Sequence, residues 1–145
     1  MEPAYIAGLI DGEGYLGILP ARVKGLKNKS FEPVVKVGMT DNCWAVFETM
    51  RAIYGGSIDT RKVKTTGGRT AYTYNLKSRV KVKKLLDDIT PFLHIKKGQA
   101  ILLSEFCDLP STHSLYGSFD QKVLDRKIEL YTLLKQLKQP LATTK

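Results

Sequence analysis

The chain has 145 residues, enough for one domain with a real core, and a net charge of +9 with a pI near 9.6. The charge is uneven: residues Arg22 to Lys84 hold 15 Lys/Arg against 4 Asp/Glu, a net of +11, the footprint of polyphosphate binding. A purely structural dimerisation module fits that segment poorly. So does a membrane-surface role, because the cations fall in strand-like segments and not on one amphipathic helix.

Pro3 is a favourable first helical residue, so a first helix is expected from about Pro3 to Asp11. Ala4, Gly8 and Gly12 fall four apart, with Ala7 and Asp11 beside them. On a helix this makes a face with almost no side-chain bulk, which a second backbone can approach. Asp11 stands where the helix should end, and Gly12 and Gly14 would let the chain turn sharply. Glu13 is then held at the helix tip, where a lone acid suits metal binding better than packing. Tyr15 to about Lys24 reads as a strand, with Leu16 and Ile18 on one face, Gly17 and Leu19 on the other, and Pro20 marking an edge or bulge. A basic turn over 25–29 leads to a returning strand from Phe31 to Met39.

Thr40 or Asp41 is expected to cap a second helix whose core face is Cys43, Val46, Phe47, Met50, Ile53 and Tyr54. Gly55-Gly56 stops it. Strands follow over Ser57–Lys64 and Ala71–Lys77, joined by a Gly-containing turn, with Tyr72, Tyr74 and Leu76 sharing one face. Ser78 caps a third helix with Val82, Leu85, Leu86 and Ile89 inward, ended by Thr90-Pro91. A fourth helix covers about Lys97 to Cys107. Ser118-Phe119-Asp120-Gln121 resembles a capping box that opens a fifth, with Val123, Leu124, Ile128, Tyr131, Leu134 and Leu137 on one side. The order α-β-β-α-β-β-α with further C-terminal helices is an α+β layout. Residues 1–139 read as one domain and 140–145 as a flexible tail.

Other readings of the first segment are weaker. Gly12-Glu13-Gly14-Tyr15-Leu16-Gly17 is formally a GxGxxG, but Tyr-Leu-Gly-Ile-Leu-Pro follows where a helix is needed. The apolar run is far short of the ~20 residues of a membrane span. An ordinary core helix with a glycine cap is the remaining alternative. Cys43 and Cys107 lack CxxC partners and read as buried thiols of a reducing, intracellular compartment. Met1-Glu2-Pro3 is not the basic start of a signal peptide. His94 and His113 have no zinc-like spacing, and the aromatic residues fall mostly at core-periodic positions.

The run Ile6-Ala7-Gly8-Leu9-Ile10-Asp11-Gly12-Glu13-Gly14 resembles the LAGLIDADG motif of the homing endonucleases, with Ile6 for the first Leu and Gly12-Glu13 for the final Ala-Asp. The resemblance runs from about Ala4 to Gln99. It implies the family's αββαββα fold, in which a curved antiparallel four-stranded sheet lies on DNA. One motif copy implies a homodimer packed through the motif helices at Ala4, Ala7, Gly8 and Asp11. The last acid of the motif, here Glu13, is implied as metal ligand and catalytic residue, aided by the Gly12 carbonyl. The implied ion is Mg²⁺, with Mn²⁺ as a substitute and Ca²⁺ as a non-catalytic one. Pro91 to Ala100 is similar to the family segment that carries a catalytic-site lysine, which places that role on Lys96, with Lys97 as the register alternative. Where the family often has a polar, water-ordering side chain at the end of the second strand, the best register gives Met39; Thr40 or Asn42 would have to substitute.

The free face of such a sheet would carry Lys36, Ser57, Asp59, Arg61, Thr73, Asn75 and Lys77, a set of donors, acceptors and charges suited to base edges in a major groove. Arg22, Lys24 and Arg69, near strand ends, suit phosphates. The expected function is a homodimeric, Mg²⁺-dependent, site-specific endonuclease of double-stranded DNA with a long near-palindromic target, encoded in a mobile intron or intein-like context. The alternative is a binder without hydrolysis on the same scaffold: an RNA maturase acting on its intron RNA, or a DNA-binding regulator. Glu13 argues against the binder, since an acid beside phosphates costs Coulomb repulsion and has no use there.

Overall fold

A computed structural model describes residues 1–21, 30–40, 43–63, 67–111 and 120–139. The elements are α1 (Pro3–Glu13), β1 (Gly14–Ala21), β2 (Ser30–Thr40), α2 (Trp44–Tyr54), β3 (Ser57–Val63), β4 (Arg69–Leu76), α3 (Arg79–Ile89), a 3-10 turn (Thr90–Phe92), α4 (Lys97–Asp108) and α5 (Gln121–Lys138). The four strands form one antiparallel sheet in the order β1-β2-β4-β3. The expected α+β order is therefore present.

Helices cover one face of the sheet because the strands alternate. Leu16, Val35 and Leu76 lie opposite one another across β1, β2 and β4, as do Val37, Tyr74 and Ile58 across β2, β4 and β3. These side chains join Ile6, Ala7 and Ile10 of α1, Phe47 and Met50 of α2, Val82 to Ile89 of α3, Leu103 and Phe106 of α4, and Leu130 and Leu134 of α5 in one core. The Tyr74 hydroxyl is kept in the core by donating to the Gly55 carbonyl at 2.6 Å. Gly56 is required beside it: its φ is +95°, and a Cβ there would collide with the Asn75 carbonyl.

Several expectations are corrected. Helix α1 runs to Glu13, two residues past the expected end, so Gly12 is helical. Gly14 leaves the helix in extended backbone at φ −91° and makes no left-handed turn. It is small for another reason: a Cβ would lie 2.7 Å from the Ile10 backbone. Ala7 is fully buried in the core of its own chain, so it cannot face a partner. Ile53 of α2 is exposed. In α5, Ile128 and Leu137 are exposed while Lys127, Leu130 and Leu134 are buried. On this inward face Lys127 lays its ammonium 5.7 Å from the centre of the Phe106 ring and buries its stem. Asp120, and not Ser118, is the N-cap, accepting from the Lys122 and Val123 amides at 3.1 and 3.3 Å. Cys43 precedes α2 as its N-cap. Asp41 and Asn42, residues 22–29 with Arg22, Lys24 and the expected basic turn, His113, Ser118 and the expected tail over 140–145 lie outside the described residues.

Candidate functional site

Three groups of residues meet at the end of α1. The first is Glu13 with Gly12, both exposed in the last turn. Among the described residues no hydrogen bond or ion pair holds the Glu13 carboxylate. It borders a hollow of about 510 Å³ whose other walls include Thr40, Arg61 and Thr73. Sheet register explains those neighbours. Thr40 lies opposite Ala71, which lies opposite Arg61, so all three share the face away from the helices. Met39 pairs with Tyr72 and packs toward the core. The polar position at the end of β2 is thus Thr40, one residue from the expected register.

The second group joins residues 10–11 to residues 94–96. The Asp11 carboxylate accepts from the backbone amides of His94, Ile95 and Lys96 at 2.8, 3.1 and 2.9 Å. It therefore caps the approach to α4, where a negative charge also meets the positive end of the helix dipole. In return Lys96 Nζ donates to the carbonyls of Ile10 and Asp11 at 3.0 and 2.8 Å, which places a positive charge at the negative end of α1. Partial burial pulls the Asp11 carboxyl up, but the three amides and the Lys96 charge outweigh it and hold the group below its ordinary 3.8. Asp11 thus caps its own chain, a role that the sequence reading did not assign to it. Lys96, expected at a helix mouth, stands at the N-cap of α4 with its ammonium two and three residues from Glu13 along α1.

Sequence reasoning missed the third group. Lys138, at the C-terminal end of α5, holds its ammonium 3.7 Å from the centre of the Tyr15 ring. Burial and the Lys96 charge push Lys138 down to about 8. No sequence signal links positions 15, 96 and 138; only the packing of α5 brings them together.

The outer sheet face contains the residues expected there. Lys36 lies opposite Asn75, Asn75 opposite Ser57, and Thr73 between Gly38 and Asp59. Lys77 follows two residues after Asn75 and reaches Glu32 at 4.0 Å. Arg69, opposite Val63, is exposed at the hairpin end. Asp59 and Asn75 are joined by a hydrogen bond. The other face of α1 is open: at Gly8 and Gly12 an added Cβ would meet nothing within 4 Å, and Ala4 is exposed.

A divalent ion would find few side-chain ligands here. Among the described residues, no three His, Cys, Asp or Glu side chains gather as a metal site. One carboxylate and one carbonyl, Glu13 and Gly12, are hard oxygen donors that fit Mg²⁺ as part of a shell only; phosphate oxygens and a second copy would have to supply the rest.

No protein-family model matches the sequence, and no curated protein does. Solved structures do match. The homing endonuclease I-CvuI, in complex with a target in the presence of Mg, superposes with a TM-score of 0.75 at 19% identity, over 98% of this chain and 85% of that one. The archaeal intron-encoded homing endonuclease I-Vdi141I, complexed with DNA, gives 0.72 at 18% identity over 99% and 88%. The I-LtrWI LAGLIDADG homing endonuclease, bound to target DNA, gives 0.69 at 15% identity over 91% of this chain but only 43% of its own. One copy of this chain therefore spans most of two of these proteins and less than half of the third. The sheet order, the motif-like run on α1 and these superpositions agree: the chain has the fold of the LAGLIDADG homing endonucleases.

Proposed function

We propose that the chain is a site-specific endonuclease of double-stranded DNA that works as a homodimer. The observation that carries this reading is the placement of Glu13 at the rim of the outer sheet face, in one hollow with Thr40, Arg61 and Thr73. A basic, polar sheet face suits DNA binding, and an acid at its rim has a use there only if chemistry follows. The compared neighbours, described as homing endonucleases in complexes with DNA, support the same reading.

The roles divide by chemistry. Lys36, Ser57, Asp59, Arg61, Thr73, Asn75 and Lys77 meet base edges, and Arg69 meets phosphate, with Arg22 and Lys24 assigned the same role from sequence alone. Two copies pack α1 against α1 through Ala4, Gly8 and Gly12, so that the two Glu13 carboxylates approach the axis and the two sheets read a long, near-palindromic site. Glu13 and the Gly12 carbonyl hold a divalent ion, Mg²⁺ or Mn²⁺, with Ca²⁺ binding but not supporting cleavage. Bound there, the ion supplies Lewis-acid stabilisation of developing phosphate charge and a more acidic water. Lys96, held by the Ile10 and Asp11 carbonyls, supplies a positive charge that stabilises the transition state or tunes the attacking water. The two buried cysteines, Cys43 and Cys107, fit a reducing intracellular compartment, and the gene context is that of a mobile intron or intein-like element. The compared neighbours are endonucleases, so the RNA-maturase alternative has no observation behind it.

The test is a cleavage selection. Purified protein is incubated with a randomised duplex library in Mg²⁺, with Ca²⁺ as control, and cut ends are sequenced. A near-palindromic consensus with a fixed double-strand cut in Mg²⁺ alone is expected. Cutting without a consensus, or none in any divalent ion, contradicts the proposal.

A further inference from the structure

Asp59 and Asn75 are diagonal neighbours on the outer sheet face, since Asp59 lies opposite Thr73 and Asn75 opposite Ser57. Asn75 Nδ2 donates to Asp59 Oδ2 at 2.8 Å and to the Thr73 carbonyl at 3.3 Å. A side-chain amide has two N–H groups, so both are spent within the sheet. The amide orientation is fixed by its partners: turned over, its oxygen would face two acceptors. What remains to meet a ligand is Asn75 Oδ1 and the second carboxylate oxygen of Asp59, which are both acceptors.

We infer that Asp59 and Asn75 form one acceptor-only reading unit that selects cytosine at the base pair it meets; this rests on the DNA reading above. A lone asparagine in the major groove favours adenine, donating to N7 while accepting from N6. Here that donor is committed. Adenine N7, guanine N7 and O6, and thymine O4 would each face an acceptor. Cytosine offers its N4 amino donor with no acceptor beside it on the same base. Lys36, directly opposite Asn75, then stands where its donors suit O6 or N7 of the paired guanine. The side-chain pair and the lysine together match a C·G pair as a pattern of acceptor beside donor. Taken singly, Asn75 suits adenine and Asp59 suits cytosine; the hydrogen bond between them removes the first preference and reinforces the second.

The experiment is a binding selection from a randomised duplex library in Ca²⁺, with bound molecules sequenced for wild type, Asp59→Ala and Asn75→Ala. Wild type is expected to show cytosine at one position of each half-site, about tenfold over the other bases. Asp59→Ala frees an amide N–H and should move that position alone to adenine. Asn75→Ala should keep cytosine with weaker discrimination. Any base other than cytosine in the wild-type profile where wild type and Asp59→Ala differ overturns the inference, and so do identical profiles; both leave the DNA reading intact. Wild type enriching no sequence at all overturns the DNA reading, and this inference with it.

Discussion

Replacing Asp11 by alanine removes one carboxylate that three backbone amides share. Loss of an ordinary helix N-cap costs about 0.5–2 kcal/mol. Three donors are involved here, but His94 and Ile95 are exposed and water can take their amides, whereas Lys96 is half-buried. The expected loss is therefore near the top of the single-cap range, about 2 kcal/mol, or roughly 4–8 °C in Tm for a chain of this size. Asparagine is the informative comparison. One carboxylate oxygen of Asp11 serves both Ile95 and Lys96, and the other serves His94. An amide can keep the first pair but must turn its NH₂ toward the His94 amide, so Asp11→Asn should fall between wild type and Asp11→Ala. Because the folded carboxyl is held below its ordinary 3.8, its stabilisation is complete above that value and fades as pH falls through the lowered one. Thermal unfolding by circular dichroism, at neutral pH and along an acid series, with amide exchange at residues 94–96, measures all of this. An Asp11→Ala protein that melts with wild type, or an acid profile unchanged in Asp11→Asn, would show that the carboxylate is not the cap.

Gly8→Ala should act with opposite signs on two equilibria: up to about 1 kcal/mol more stable as an isolated chain, because alanine favours helix and the Cβ meets open space, yet weaker as a dimer in sedimentation at graded concentrations. Tyr74→Phe should lose about 1 kcal/mol in a urea titration, since the buried hydroxyl donates to the Gly55 carbonyl. Lys138 behaves inversely to Asp11. Its folded value near 8 lies below the ordinary 10.5, so carrying the proton opposes folding fully below about pH 8 and less as pH rises toward 10.5. Lys138→Met should therefore melt higher than wild type at neutral pH, with the difference shrinking in alkaline buffer. DNA affinity should fall steeply and linearly on a log–log plot against salt, and more gently for Arg69→Ala.

What the sequence made legible follows from period. In the strands, alternation at Tyr72, Tyr74 and Leu76 placed one face inward, and register then assembled Lys36, Ser57, Asp59, Thr73 and Asn75 on the other. In α3 the spacing of Val82, Leu85, Leu86 and Ile89 was sufficient, and all four are fully buried. The errors arose where one local pattern allowed two outcomes. Ala7 and Gly8 are equally small, and only packing decides that one enters the core while the other stays open. Lys127 reads as solvent-facing from its charge, but the Phe106 ring lies beneath it and α5 turns a different face inward. Met39 and Thr40 differ by one residue, and a one-residue shift turns a strand over. At the site, Glu13 and Lys96 were visible through the motif and its companion segment, whereas the contact of Lys138 with Tyr15 spans the whole chain and leaves no local trace.

In the proposed function Glu13 is needed for hydrolysis, while the sheet face binds DNA without it. The direct measurement uses one duplex taken from the cleavage selection and saturates it with either wild type or Glu13→Gln in Mg²⁺, following binding and strand cutting in the same reaction. Binding within a few-fold of wild type, with cutting of both strands abolished in the variant, is the predicted result. A Glu13→Gln protein that cuts at the wild-type rate would contradict the account.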